Sequence, residues 1–254
     1  MASMPENRQN RYTAARGDDM TNTEANLQDT TARLPLTAQF LLLAYGRPDG
    51  TALLPMTRIK AALAGAAVVD LTLGGALELD ESGRKAKLYA TDAVVEPSLR
   101  EAQSRSDGQT PKNAIARIGA AQSFKDRGGD LRDATFELLT AQGYGRLERD
   151  DVFGIVPRRR WHDSTRGADK RASLLAPVRA ILTNQPDDAD TDERVVALMA
   201  VAHATKLLPK LFPDLDRHDL NRRGKEIMEQ NWAGSAVYKA LQELDAAAAA
   251  AASG

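Results

Sequence analysis

The stretch from Arg194 to Leu208 places the strongest constraint on the fold. Val195, Val196, Leu198, Met199, Val201, Ala202, Leu207 and Leu208 leave a helix here with almost no polar face. A helix of that kind sits at the centre of a core. Elsewhere the chain is Ala-rich and only 5% aromatic, which favours helix over sheet. A second apolar run, Ala61 to Val69, ends at Asp70. It falls short of the ~20 apolar residues of a membrane-spanning helix. Any membrane role is therefore expected to be peripheral.

The remaining organisation follows from punctuation. Met1 to Arg33 is polar and carries charges of both signs, so it is expected to be a disordered tail without a signal peptide. Met20-Thr-Asn-Thr offers an alternative start to Met1. Residues 34–244 form one domain, and residues 245–254 an Ala-rich tail that extends a helix or frays. Thr37 is expected to cap a helix ending at Gly46, and Thr57 a second ending at Gly74-Gly75. Leu77-Glu-Leu79 alternates as a strand and returns through Glu81-Ser-Gly83 to Leu88-Tyr89. A short helix follows Pro97, another starts at Thr110-Pro111, and Gly128-Gly129 breaks it before Asp130 caps the next. Arg146 to Val156 reads as a hairpin turning near Asp150-Asp151 and closed by Pro157. Ser173 to Leu182 is helical with a kink at Pro177, and a capping box from Asp190 to Glu193 opens the apolar helix. Two helices near 219–230 and 233–244 complete a mainly α, single-domain fold with short β-hairpins.

Composition excludes several chemistries. With no Cys, the chain makes no disulfide, Cys zinc site, iron–sulfur cluster or thiol nucleophile. The three His are His162, His203 and His218, and none sits in a His-Glu-x-x-His pattern. No Gly-x-Ser-x-Gly motif or phosphate-cradling Gly loop occurs. His203, mid-helix among apolar residues, reads as a core His bonded to backbone, and His218 as a solvated loop residue. Asp150-Asp151 and Asp187-Asp188 fall in turns and linkers. The expectation is a protein that is not an enzyme and needs no metal or cofactor.

One segment departs from the average. Lys and Arg number 34 against 35 Asp and Glu, for a net charge of -1. Yet Arg158 to Arg171 holds Arg158, Arg159, Arg160, Arg166, Lys170 and Arg171 against Asp163 and Asp169. The Arg run follows Phe153 and Ile155 and precedes Trp161. Two readings stand. In one, Phe153, Ile155, Arg158, Arg159, Arg160 and Trp161 form a membrane face, with aromatics at headgroup level and cations against an anionic leaflet. In the other, Phe153 and Ile155 face the core, Trp161 packs on the domain and the arginines are solvated. No recognition helix or RNA motif accompanies the run, so nucleic acid is not an expected partner.

The order of segments resembles the Golgi phosphoprotein 3 family, particularly its bacterial members. Leu34-Pro-Leu-Thr-Ala-Gln-Phe-Leu-Leu-Leu43 looks like the family's opening helix. Ala62 to Leu79 looks like its signature helix and strand. Leu131-Arg132 through Gly143, with the hairpin ending at Pro157-Arg-Arg-Arg-Trp161, looks like the next block, and Ala197 to Leu208 like the buried late helix. The similarity runs from about Leu34 to Leu244. It implies a helical domain with one projecting hairpin. It also implies a cytoplasmic protein, peripheral at the cytosolic face of a membrane, that binds phosphatidylinositol 4-phosphate or another anionic phospholipid and acts as an adaptor. Arg132 matches one arginine of the family's headgroup pocket. The other pocket positions fall near Pro55, Ala64 and Gly129, and Arg58, on the same helix as Ala64, is the candidate substitute. The alternative is a protein-interaction scaffold that has lost lipid binding.

Overall fold

The computed structural model describes residues 34–119, 127–152, 156–183 and 192–252. The tail at 1–33, Phe153, Ile155 and the acidic linker at Asp187 to Asp190 lie outside them. Pro35–Gly254 forms one compact unit. Its described elements are helices α1 (Leu36–Ala44) and α2 (Met56–Leu73), strands β1 (Leu77–Asp80) and β2 (Lys87–Ala90), a 3-10 turn at Pro97–Leu99, then α3 (Arg100–Ser106), α4 (Pro111–Gly119) and α5 (Arg127–Ala141). Strands β3 (Gly145–Val152) and β4 (Val156–Asp163) follow, then α6 (Thr165–Leu182), α7 (Glu193–Ala204), α8 (Leu208–Leu211), α9 (Arg217–Gln230) and α10 (Trp232–Ala252). The fold is mainly helical, with two antiparallel hairpins, β1–β2 and β3–β4. The alanine run at the end extends α10 as far as Ala252.

Helix α1 is buried at every residue, and two further helices are enclosed over much of their length. Helix α7 is buried from Ala197 to Ala202, as its pattern predicts. Helix α2, buried from Ala61 to Val69, is the more central one and packs against α1, α4, α5, α7 and α10. Its small side chains permit that crowding. A methyl group on Gly65 would collide with the Cγ2 of Val237 on α10.

Helix starts differ from expectation where a tertiary partner supplies what a local cap would. Helix α1 begins after Pro35, and Thr37 is a buried residue rather than its cap. The Leu36 amide instead donates to Asp70 Oδ2 at 2.7 Å, and Thr37 donates its amide to the same side chain. Asp70 thus caps α1 from a neighbouring helix. Helix α2 begins after Pro55 with no side-chain cap. Helix α5 starts at Arg127, so Gly128-Gly129 lies inside its first turn. A Cβ on Gly128 would stand 2.9 Å from Lys60 Cβ, so the glycine lets α5 approach α2. Ser164 caps α6, its Oγ accepting the Gly167 amide at 3.1 Å, which lengthens that helix well beyond Ser173. Asp192, not Asp190, caps α7.

The second hairpin also shifts. Val152 pairs with Val156, so Asp150 and Asp151 are paired residues of β3 and not its turn. Pro157 therefore lies within β4, opposite Asp151, and Arg158 to Trp161 continue the strand. Proline is tolerated there because it sits at the second position of an edge strand.

Candidate functional site

Strand alternation sorts the arginine run onto two faces. Arg159 and Trp161 share one face, which meets α5. Arg160 and His162 share the other. Arg158 is placed in the strand opposite Asp150.

On the inner face two arginines converge on one carboxylate oxygen. Arg132, on α5, is only 7% exposed. Its Nε and Nη2 donate to Asp133 Oδ1 at 3.0 and 2.9 Å, and its Nη1 points to Met56 Sδ at 3.0 Å. Arg159 Nη1, from β4, donates to the same Asp133 oxygen. Two guanidinium groups against one carboxylate leave an excess of positive charge. Met56 is the first residue of α2, so the positive end of that helix stands beside Arg132. The helix has no side-chain cap, and the Arg58 amide turns back to the Pro55 carbonyl at 3.0 Å. Arg58, half-buried, lies in the same first turn. Tyr45 closes the back of the cluster. Burial pushes its phenol pKa up, Arg132 pulls it down, and Asp133 adds to the rise.

Trp161 does not belong to an outward face. It is 2% exposed and stacks on Phe136 at 5.3 Å between ring centroids, while Phe136 meets Tyr45 edge-on at 5.0 Å. Its Nε1 donates to Asp163 Oδ1 at 2.7 Å. Arg171 Nη2 donates to that oxygen at 2.9 Å, Nη1 to Asp163 Oδ2, and Nε to the Leu42 carbonyl at 2.7 Å. The expected membrane contact is corrected: the register turns Trp161 toward α5, where its ring is sealed from any lipid. Gly145 makes the room, since a Cβ there would come within 2.5 Å of Trp161 Cζ2. Of the six cations expected in one patch, Arg159 and Arg171 are therefore bound into internal networks. On the outer face, Arg160 is half-buried beside Gly50, whose φ of +74° favours glycine. The Gly50 carbonyl accepts from the Trp161 amide at 2.8 Å, which ties the α1–α2 loop to β4. Next to it, hydrogen bonds from Thr51 hold Asp49 below the usual carboxylate range, with smaller help from Arg47 and Arg160.

The histidines form no common centre. The His203 ring packs directly on Gly224 of α9, and burial pushes its pKa down. His162 Nε2 lies 2.8 Å from Glu148 Oε2 on the outer face of the hairpin. His218 lies in the first turn of α9 rather than in a loop. Asp216, His218 and Asp219 bring ligand atoms within 4.8 Å of one another, all exposed. Asp216 Oδ1 already accepts the amides of His218 and Asp219 at 2.9 and 3.0 Å, which holds its pKa low. That is the geometry of a helix cap.

Sequence reasoning missed Asp133, Met56 and Tyr45. The adjacency of Arg132 and Asp133 was the only local signal, and neighbours in a helix do not ordinarily face each other. Among the described residues no helix is long and apolar enough to cross a membrane. No curated protein matches the chain significantly. Residues 36–244 do match the family model for Golgi phosphoprotein 3 (GPP34). That match begins at the start of α1, ends within α10 and takes in the whole arginine cluster, and the chain belongs to the Golgi phosphoprotein 3 family.

Proposed function

We propose that this protein is a peripheral membrane protein that binds the headgroup of an anionic phospholipid, phosphatidylinositol 4-phosphate or a relative of it. The observation that carries the reading is the convergence of Arg132 and Arg159 beside the uncapped start of α2, in a member of this family. A phosphate entering there meets guanidinium donors at the positive end of a helix. Asp133 holds the donors in place in the absence of ligand, and a phosphate would exchange for it as the acceptor. Arg58, at the same turn, supplies a further cation. Arg160, on the outer face of β4, adds long-range attraction of ~1 kcal/mol near an anionic leaflet. The reading places the protein on the cytoplasmic side and includes no catalytic step.

Co-sedimentation with phosphatidylcholine vesicles, with and without phosphatidylinositol 4-phosphate or phosphatidylglycerol, tests this. Wild type pellets with the anionic vesicles at low salt and is released as the Debye length shrinks to about 8 Å near physiological salt. If it stays in the supernatant at low salt, the reading is wrong. If Arg58→Gln/Arg132→Gln pellets equally well, the pocket is misplaced. One observation favours a scaffold role instead: each nitrogen of the Arg132 guanidinium already has a partner in Asp133 or Met56. A stoichiometric protein partner recovered regardless of lipid would support that alternative.

A further inference from the structure

A second basic surface stands apart from the arginine cluster. The β1–β2 hairpin forms a bay of about 540 Å³ lined by Asp80, Gly83, Arg84, Lys85, Lys87 and Tyr89. That volume lies within the ~300–1,000 Å³ of small-molecule sites. Alternation along β2 sends Leu88 into the core and leaves Lys87 and Tyr89 on the outer face. Asp80 is opposite Lys87 in the register. It is the one carboxylate in the lining, and it is already committed: its Oδ1 accepts the Ser82 amide at 2.8 Å and shapes the turn. Among the described residues Arg84 and Lys85 make no ion pair, in contrast to Arg132 and Arg159.

The bay rests on a fixed base. Gln103 Nε2 donates to the carbonyls of Ala76 and Thr91 at 3.0 and 3.1 Å, clamping the two ends of the hairpin. Leu88 exchanges backbone hydrogen bonds of 2.8 Å with Gln109 and Gly108, which covers the outer edge of β2. Tyr89, 41% exposed, is among the few large apolar side chains left in solvent by the described residues. The hairpin leaves the C-terminal end of α2, whereas the Arg132 cluster adjoins its N-terminal end. A helix of 18 residues separates them by about 27 Å. No single headgroup reaches both.

We infer that this bay is a second anion site, taking a phosphate-bearing small molecule or lipid headgroup. Arg84 offers a planar two-point fork to phosphate oxygens, Lys85 and Lys87 add point charges, and Tyr89 offers a ring face and a hydroxyl to the group carrying the phosphate. The inference does not depend on the function proposed above.

Calorimetric titration of the full chain with inorganic phosphate and with inositol 1,4-bisphosphate tests it. The expected result is saturable binding that weakens by about tenfold or more in Arg84→Gln/Lys85→Gln, the scale of one lost charge-assisted contact. The same event persists in Arg58→Gln/Arg132→Gln. Both altered residues of the first variant are exposed, so the fold is retained. Tighter binding of the bisphosphate assigns the bay to a phosphorylated polyol, and equal binding assigns it to phosphate itself. Weaker pelleting of Arg84→Gln/Lys85→Gln with phosphatidylinositol 4-phosphate vesicles identifies a lipid source, and unchanged pelleting a free one. Absence of saturable binding by wild type, or equal affinity in Arg84→Gln/Lys85→Gln, overturns the inference.

Discussion

Asp70 offers the sharpest test of how this core is held. Its carboxyl is 7% exposed in the wall of the buried helix α2. It accepts the Leu36 amide at 2.7 Å and Arg194 Nη2 at 2.5 Å. Burial raises its pKa to about 6, against the opposing pull of Arg194 and the α1 amides. The folded pKa thus lies above the ordinary value of 3.8, and the folded state takes up the proton first. Stability contributed by this group therefore rises as pH falls through 6 and levels off below 3.8. Between pH 8 and about pH 4.5 the gain is about 2 kcal/mol, at 1.36 kcal/mol per pKa unit. Other carboxylates titrate in the same range, so the measurement is a difference. Urea unfolding of wild type and Asp70→Asn, at several pH values in that interval, isolates the Asp70 contribution. Wild type should gain on Asp70→Asn as the pH drops. If wild type instead loses ground, Arg194 and the two amides outweigh the burial cost, and the carboxylate is held as a stabilising anion. Arg194→Met sharpens the contrast. It strands the buried charge at about 3–5 kcal/mol near pH 8, and the penalty shrinks at pH 5, where the proton neutralises it.

Other expectations follow from single contacts. Lys206 sits at φ 62° just past α7, with its amide bonded to His203 O and the Leu207 amide to Ala202 O, a Schellman arrangement. Lys206→Gly should raise stability by about 1 kcal/mol in chemical unfolding, since glycine adopts that φ without strain. Gly65→Ala drives a methyl into the stiff side chain of Val237 and should cost about 1–3 kcal/mol, with partial recovery in Gly65→Ala/Val237→Ala. Equal stability of the single and double variants would refute that contact. Trp161→Ala empties the space against Phe136 and should cost about 3–5 kcal/mol in the same assay. A loss below 1 kcal/mol would mean the ring is not the core residue described here.

Much of the architecture was legible in local pattern. The enclosed helix α7, the hairpin from Leu77 and the helix start at Pro111 each depend on residues a few positions apart. Errors cluster where the partner is distant. Asp70, which in local pattern only ends an apolar run, is the cap of a helix 34 positions earlier in the chain. Gly128-Gly129 looked like a break because a glycine pair ends many helices, and here it admits the Lys60 side chain. Trp161 looked like an interface anchor because it follows three arginines. A one-residue difference in strand facing separates an anchor from a core residue, and only the pairing register settles it.

Periodicity and composition, then, are enough to establish a helical fold with a buried late helix, no Cys chemistry and no spanning helix. They are short-range properties, written in neighbouring residues. The partner of each charge was decided by tertiary packing. Arg194 meets Asp70 across 124 positions, and Arg159 reaches Asp133 across 26. In a charge-balanced chain such pairings divide the cations into those neutralised inside and those left facing solvent. Arg84 and Lys85 belong to the second group, and no local rule distinguishes them from the first.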